Sequence, residues 1–183
     1  MSAKTRTKRK EIDVTSQFIG PRFEIKDIKF TPKQRELIRL VRDENTKVVF
    51  VEGPAGSAKS FVSVFCALLA IKEGSKERVK YIRSLVESSQ SKIGFLKGSL
   101  EEKTSPYGGP LLDKLDEYLN RYDYERLIHD GVITSMCPNF LRGSTFKNEF
   151  VIVDESQNCS MADLITIISR VGENSTIIFC SDK

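Results

Sequence analysis

Residues 48–65, VVFVEGPAGSAKSFVSVF, constrain the fold of this 183-residue chain more than any other stretch. An apolar, β-prone run ends in a glycine-containing loop, and the loop runs directly into an apolar segment that reads as a helix to Ile71. The loop GPAGSAKS, residues 53–60, matches the pattern G-x-x-x-x-G-K-[ST] except at its sixth position, where Ala58 replaces glycine. Backbone N–H groups from Gly53 to Ala58 would form a concave anion site, and the helix beginning near Lys59 would point its positive end at it. Lys59 would reach the β- and γ-phosphates of a nucleotide, and the Ser60 hydroxyl would ligand Mg²⁺. The expected nucleotide-binding set is Gly53, Pro54, Ala55, Gly56, Ser57, Ala58, Lys59, Ser60 and Phe61. Gly53 and Gly56 are expected to supply the unusual backbone angles. Ala58, placed where the helix starts, is expected at a negative φ, where alanine costs nothing sterically.

The same alternation of β-run and helix organises the rest. Strands are expected at 47–52 (KVVFVE), 78–83 (RVKYIR), 131–136 (GVITSM), 149–154 (EFVIVD) and 175–181 (STIIFCS). Helices are expected at 31–45, where Thr31 and Pro32 form the start, and near 110–128 and 160–171, with Gly74 stopping the helix that follows the loop. Continuous apolar strands alternating with helices argue for an α/β fold, a mainly parallel sheet covered on both faces.

The run FVIVDES carries the second chemical signal. Asp154 and Glu155 close a strand whose C-terminal end faces the ligand crevice in a parallel sheet. Asp154 can hold the magnesium shell and Glu155 can polarise water for attack on a γ-phosphate; the plain alternative is an acidic pair capping a strand end. With the loop, the pair makes an ATP site the favoured reading. A water-activating glutamate points to hydrolysis rather than to a small-molecule kinase, which must keep water from the phosphate.

Composition narrows the class. Apolar residues make up 39% and charged residues 30%, ordinary for a soluble globular domain, and no apolar run approaches a membrane span of about 20 residues. Five of the 29 basic side chains lie in residues 1–10 with no acidic one, leaving 24 basic against 25 acidic. The body is therefore near neutral, and residues 1–25 read as a basic, disordered tail ahead of a domain spanning 26–183. Such a tail is a solubilising arm or a nucleic-acid tether. The four cysteines form no C-x-x-C pair and only one histidine, His129, accompanies them, so buried free thiols in a reducing, cytoplasmic setting are expected rather than zinc. His129 reads as a helix-end surface residue.

Further motifs carry a family resemblance. RSLVESSQSKIGFLKGSLEEKTSPYGGPLLDKL, 83–115, is similar to RP-x-V-E … LGFLPG-x-L-x-E-K … PYL-x-PL-x-D-x-L of the PhoH-like ATPases, relatives of superfamily-one helicases. FLRGSTFKNEFVIVDESQN, 140–158, resembles the MRGRT-x-x-x-x-x-IILDEAQN of that family, and SRVG, 169–172, its TRIG. The resemblance implies a three-layer P-loop ATPase fold, ATP and Mg²⁺ as ligands, single-stranded RNA as a candidate partner, and a ring of identical subunits. It implies that Gln34 reads the adenine edge, although Thr31-x-x-Gln34 is also a capping box. It implies that Gln157 couples the γ-phosphate to motion, and that Arg142 and Arg170 contact phosphate, with a solvated arginine as the alternative for each. Arg83 faces either the crevice or nucleic acid.

The departures from the family pattern are Ala58, Ser84 for a proline, Ser144 for an arginine, and glycines in PYGGPL, 106–111, which suggest a mobile loop there. The chain stops at IIFCSDK, where the family continues through GD-x-x-Q, so it is expected to be a piece lacking C-terminal strands, with an apolar edge left beside the loop strand. Asp182 resembles the aspartate of that motif. Two functions compete: an ATPase coupled to RNA remodelling, and a nucleotide-binding regulatory module with little turnover, which Ala58 and the abrupt ending favour.

Overall fold

The computed structural model describes residues 20–84, 100–141 and 145–183. Five helices and five strands follow in the order α1 (Pro32–Val41), β1 (Val48–Gly53), α2 (Lys59–Lys72), β2 (Arg78–Arg83), α3 (Leu100–Tyr118), α4 (Arg121–His129), β3 (Ile133–Met136), β4 (Glu149–Asp154), α5 (Met161–Ile168) and β5 (Thr176–Asp182). Short 3-10 turns occupy Pro138–Leu141 and Ser156–Asn158. The strands form one sheet in the order β1-β5-β4-β2-β3, every pairing parallel.

Strand alternation builds two cores. Val49 and Val51 of β1, Val79 and Tyr81 of β2, Phe150 and Ile152 of β4, and Ile178 and Cys180 of β5 face the side covered by α2, with α1, α3 and α4 around it. Ile82, Val151, Val153, Ile177 and Phe179 face the other side, under Ile167 of α5 with Leu141 and Phe146. This is the three-layer α/β arrangement that continuous apolar strands require. β1 stands at the edge of the described sheet; its Phe50 is 67% exposed and stacks on Phe179 with ring centroids 4.8 Å apart.

Local chemistry sets the element ends. Thr31 and Gln34 form the capping box of α1, Pro32 occupies its first turn, and Gly74 lies just past α2 at φ 71°. The helix expected to reach residue 45 stops at Val41, because Asp43 diverts the chain: its carboxylate accepts from Asn45 N at 2.9 Å and its carbonyl from Thr46 N. The single helix expected over 110–128 is two, since Asn120 caps α4 by accepting from Asp123 N. PYGGPL does not form a loop but lies within α3. Gly108 allows that helix close to β3, where a Cβ would stand 3.1 Å from Ser135 Oγ. α5 ends at Ile168 rather than 171, because the chain beyond it is recruited into a bridge, with Phe146 N donating to Arg170 O.

Residues 20–25, assigned to the tail from the sequence, instead pack on the body: Phe23 is buried, and Arg126 Nη2 donates to Arg22 O at 2.5 Å. Residues 1–19 lie outside the described residues, as do residues 85–99 of the family-like segment 83–115 and the Arg142–Ser144 stretch. Cys66, Cys137 and Cys180 are buried free thiols as expected, whereas Cys159 is only half-buried. Burial pushes Cys66 up to about 12 and Cys180 up to about 11, so both are protonated at neutral pH. No described helix is long and apolar enough to cross a membrane.

Candidate nucleotide site

The sheet order brings the two sequence signals together. β5 separates β1 from β4, so the C-terminal ends of these three strands form one rim, with Gly53 opposite Asp182. A cleft of about 240 Å³ opens there, lined by residues that include Lys59, Ser60, Asp154, Glu155, Gln157 and Asp182. The sheet therefore gathers residues separated by more than a hundred positions in sequence.

The loop is a compact turn. Ser57 N donates to Pro54 O at 3.2 Å, and Gly56 takes φ 74°, which glycine adopts without a Cβ penalty. Gly53 ends β1 without a positive φ, so the strand end rather than a special angle holds it, contrary to expectation. Ala58 reverses expectation more sharply: it lies at φ 64°, ψ 26°, the left-handed region. The backbone keeps the conformation that the usual glycine provides, and alanine must bear it.

Two consequences follow from Ala58. Its methyl side chain cannot accept a hydrogen bond, so α2 begins with no side-chain cap and its first-turn N–H groups remain available to a phosphate. Its left-handed angle is also strained by about 1 kcal/mol relative to glycine. Ala58→Gly is accordingly expected to raise the free energy of unfolding by about 1 kcal/mol, read as a higher urea midpoint at unchanged slope. A lower midpoint would show that the loop does not bear this strain.

Lys59 is almost enclosed, its side chain 9% exposed. Its Nζ lies 2.6 Å from Asp182 Oδ1 and donates to Gly53 O at 3.0 Å, Pro54 O at 2.9 Å and Ser57 Oγ at 3.2 Å. The ammonium is thus held at the mouth of the loop by groups that a phosphate oxygen could replace. Ser60 Oγ donates to Asp154 Oδ1, and the other carboxylate oxygen of Asp154 accepts from the Tyr81 hydroxyl. Burial, followed by the Asp154 carboxylate, pushes the Tyr81 phenol above its ordinary range, so Tyr81 serves only as a donor there.

Ser60 and Asp154 form a hard, all-oxygen donor pair, which fits a magnesium ion better than a softer metal. No group of three or more His, Cys, Asp or Glu residues that could hold a metal occurs among the described residues.

Glu155 occupies the left-handed region at φ 54°, ψ 42°. The other described non-glycine residues with positive φ, besides Ala58, are Asn148 and Asn174, and asparagine tolerates that region. The two strained side-chain types both line the cleft, where backbone strain concentrates in functional sites. Glu155 Oε2 accepts from Gln157 Nε2 at 2.7 Å, and Gln157 Oε1 accepts from Asp182 N at 3.1 Å. Arg83 Nη2 lies 3.6 Å from Glu155 Oε1, while its buried Nε has no hydrogen-bond partner among the described residues. A continuous polar chain thus runs from Lys59 through Asp182, Gln157 and Glu155 to Arg83.

The remaining expected residues are divided between the cleft and other parts of the fold. Gln34 sits in the α1 capping box, Thr31 N donating to its Oε1 at 2.9 Å, and it does not line the cleft. Arg170 lies after α5 with its Nε buried and without a hydrogen-bond partner among the described residues. Arg142 falls outside the described residues. Pro54, Ala55 and Ser57 build the loop, and Phe61 lines the cleft while stacking on Tyr118 with centroids 4.4 Å apart. Two lining or supporting residues escaped the sequence reading: Tyr81, whose alternation with Val79 on a buried face was the available signal, and Lys114 of α3.

Comparison with known proteins matches a family model described as PhoH-like protein to residues 27–183. The PhoH-like protein of Bacillus subtilis (strain 168) is 34% identical over 172 residues, covering 94% of this chain and 52% of the relative. The PhoH-like protein of Synechocystis sp. (strain ATCC 27184 / PCC 6803 / Kazusa) is 35% identical over 152 residues, 83% of this chain and 45% of the relative. Protein PhoH2 of Mycolicibacterium smegmatis is 29% identical over 151 residues, 82% of this chain and 35% of the relative. The chain spans about half the length, or less, of these curated relatives.

Proposed function

The chain belongs to the PhoH-like family, and from that premise we propose that it binds Mg·ATP in the cleft at the ends of β1, β5 and β4 and hydrolyses it. The observation that carries this reading is the direct contact of Ser60 with Asp154 beside the Lys59 ammonium, with Glu155 next along the chain. In this reading the uncapped α2 N-terminus and the loop amides hold the phosphates. Lys59 exchanges Asp182 for a phosphate oxygen, and Ser60 and Asp154 hold the magnesium, which neutralises charge on the phosphates. Glu155, positioned by Gln157 and Arg83, accepts a proton from the attacking water.

The finer proposal is a ring of identical subunits acting on single-stranded RNA. A basic run within residues 1–10 is available for phosphate contacts. Met161, Ile165 and Ile168 leave an exposed apolar stripe along α5 that suits a second subunit. The second reading is a nucleotide-binding module with little turnover, favoured by the strained Ala58 that stands where the loop usually carries glycine.

Equilibrium titration of Mg·ATP, followed by phosphate release with and without single-stranded RNA, separates these readings. Saturable binding with RNA-stimulated release is expected; binding without release would favour the second reading. The absence of binding would remove the nucleotide site altogether.

A further inference from the structure

The inner face of α3 carries Leu111, Leu115 and Tyr118, all buried, at the spacing of one helical stripe. Lys114 lies on that face, three residues after Leu111 and four before Tyr118, where an apolar side chain would continue the stripe. Its half-buried side chain lines both the nucleotide cleft and an adjoining hollow of about 470 Å³ beside Ala58 and Phe61. The Nζ lies 5.9 Å from the centroid of Tyr81, the residue whose hydroxyl holds Asp154. It donates to Pro110 O at 2.9 Å and forms no ion pair among the described residues, although Asp113 and Glu117 line the hollow.

A cation placed this way needs an anionic partner. The cleft is lined by the carboxylates of Asp154, Glu155 and Asp182, with Lys59 set against Asp182 and Arg83 against Glu155 at the sheet rim, while Lys114 is the cation that lines it from α3. A triphosphate entering that acidic rim meets repulsion that a second cation on the opposite wall offsets. The Pro110 carbonyl lies inside the α3 hydrogen-bond ladder, so it keeps a backbone donor when the ammonium leaves.

We propose that Lys114 is a second phosphate-binding cation, which leaves the Pro110 carbonyl to bond a γ-phosphate oxygen of a bound nucleoside triphosphate from the α3 side. This rests on reading the cleft as a nucleotide site. It makes α3 sensitive to the third phosphate, whereas the loop and α2 hold nucleotides of either length.

Equilibrium titrations with Mg·AMPPNP and Mg·ADP, on the parent chain and on Lys114→Gln, Lys114→Arg and Lys59→Ala, test it. Lys114→Gln is expected to weaken AMPPNP binding by about tenfold or more while leaving ADP within about twofold, the scale of one charge-assisted hydrogen bond. Lys114→Arg, which keeps the charge, is expected to recover most of that loss. Unchanged AMPPNP affinity in Lys114→Gln, an equal loss for both nucleotides, or no recovery in Lys114→Arg would each overturn the proposal. If Lys59→Ala loses both nucleotides while Lys114→Gln loses neither, the nucleotide site stands and the role of Lys114 does not. A parent chain that binds neither nucleotide would remove the site reading and this proposal together.

Discussion

Lys59→Ala is expected to weaken Mg·ATP binding by at least about a hundredfold, because it deletes a charge-assisted contact made inside a partly desolvated cleft. The ammonium already has one carboxylate and three neutral oxygens around it, so the side chain is held where a phosphate would need it. Removing it leaves Asp182 facing the incoming phosphates without its counter-charge, and attraction becomes repulsion at the same spot. The deletion lies at the rim of the sheet rather than in either core, so the fold should persist, and a circular-dichroism melt checks this. An affinity within about threefold of the parent, on a folded protein, would show that the loop is not the site.

Glu155→Gln is expected to lower turnover by at least about a hundredfold while leaving Mg·ATP affinity within about threefold, as loss of a general base does. The substitution is nearly isosteric, and the new side-chain carbonyl can still accept from Gln157, so the geometry of the rim is kept. What disappears is the basic oxygen and the charge facing Arg83. Single-turnover phosphate release with pre-bound ATP isolates that step from binding. A variant that hydrolyses at the parent rate would move the proton acceptor to another group.

Much of the fold was legible because the strands advertise themselves. EFVIVD and STIIFCS are apolar on both faces, and only a sheet covered on both sides buries such runs completely. The loop and the acidic pair were legible because their chemistry is tied to a strand end. The helix ends were less so: Asp43 and Asn120 bond backbone groups nearby, and such short-range competition hides inside a helical periodicity. PYGGPL reads as a breaker, yet it forms part of α3, whose packing against β3 uses the bare face of Gly108.

The angle at Ala58 was not legible because the junction of turn and helix imposes it, against the preference of alanine. The pairing of Lys59 with Asp182 depends on the register of β1 with β5, which no local pattern encodes. Lys114 was hidden for a different reason. A lysine in an amphipathic helix ordinarily marks the solvent side, and only the position of α3 against β2 and β3 turns this one inward.

The order of the strands also dictates when the site can come into being. Among the described residues β1 pairs with β5 alone, and β5 is made more than a hundred residues after β1. At about 5–20 residues per second, the loop strand must wait on the order of ten seconds for its partner. During that interval the apolar faces of β1 and α2 stand without the sheet that covers them, a window in which a chaperone or a neighbouring nascent chain competes for the same surface. The cleft therefore cannot form until β5 has been made, although the loop that begins it is made more than a hundred residues earlier.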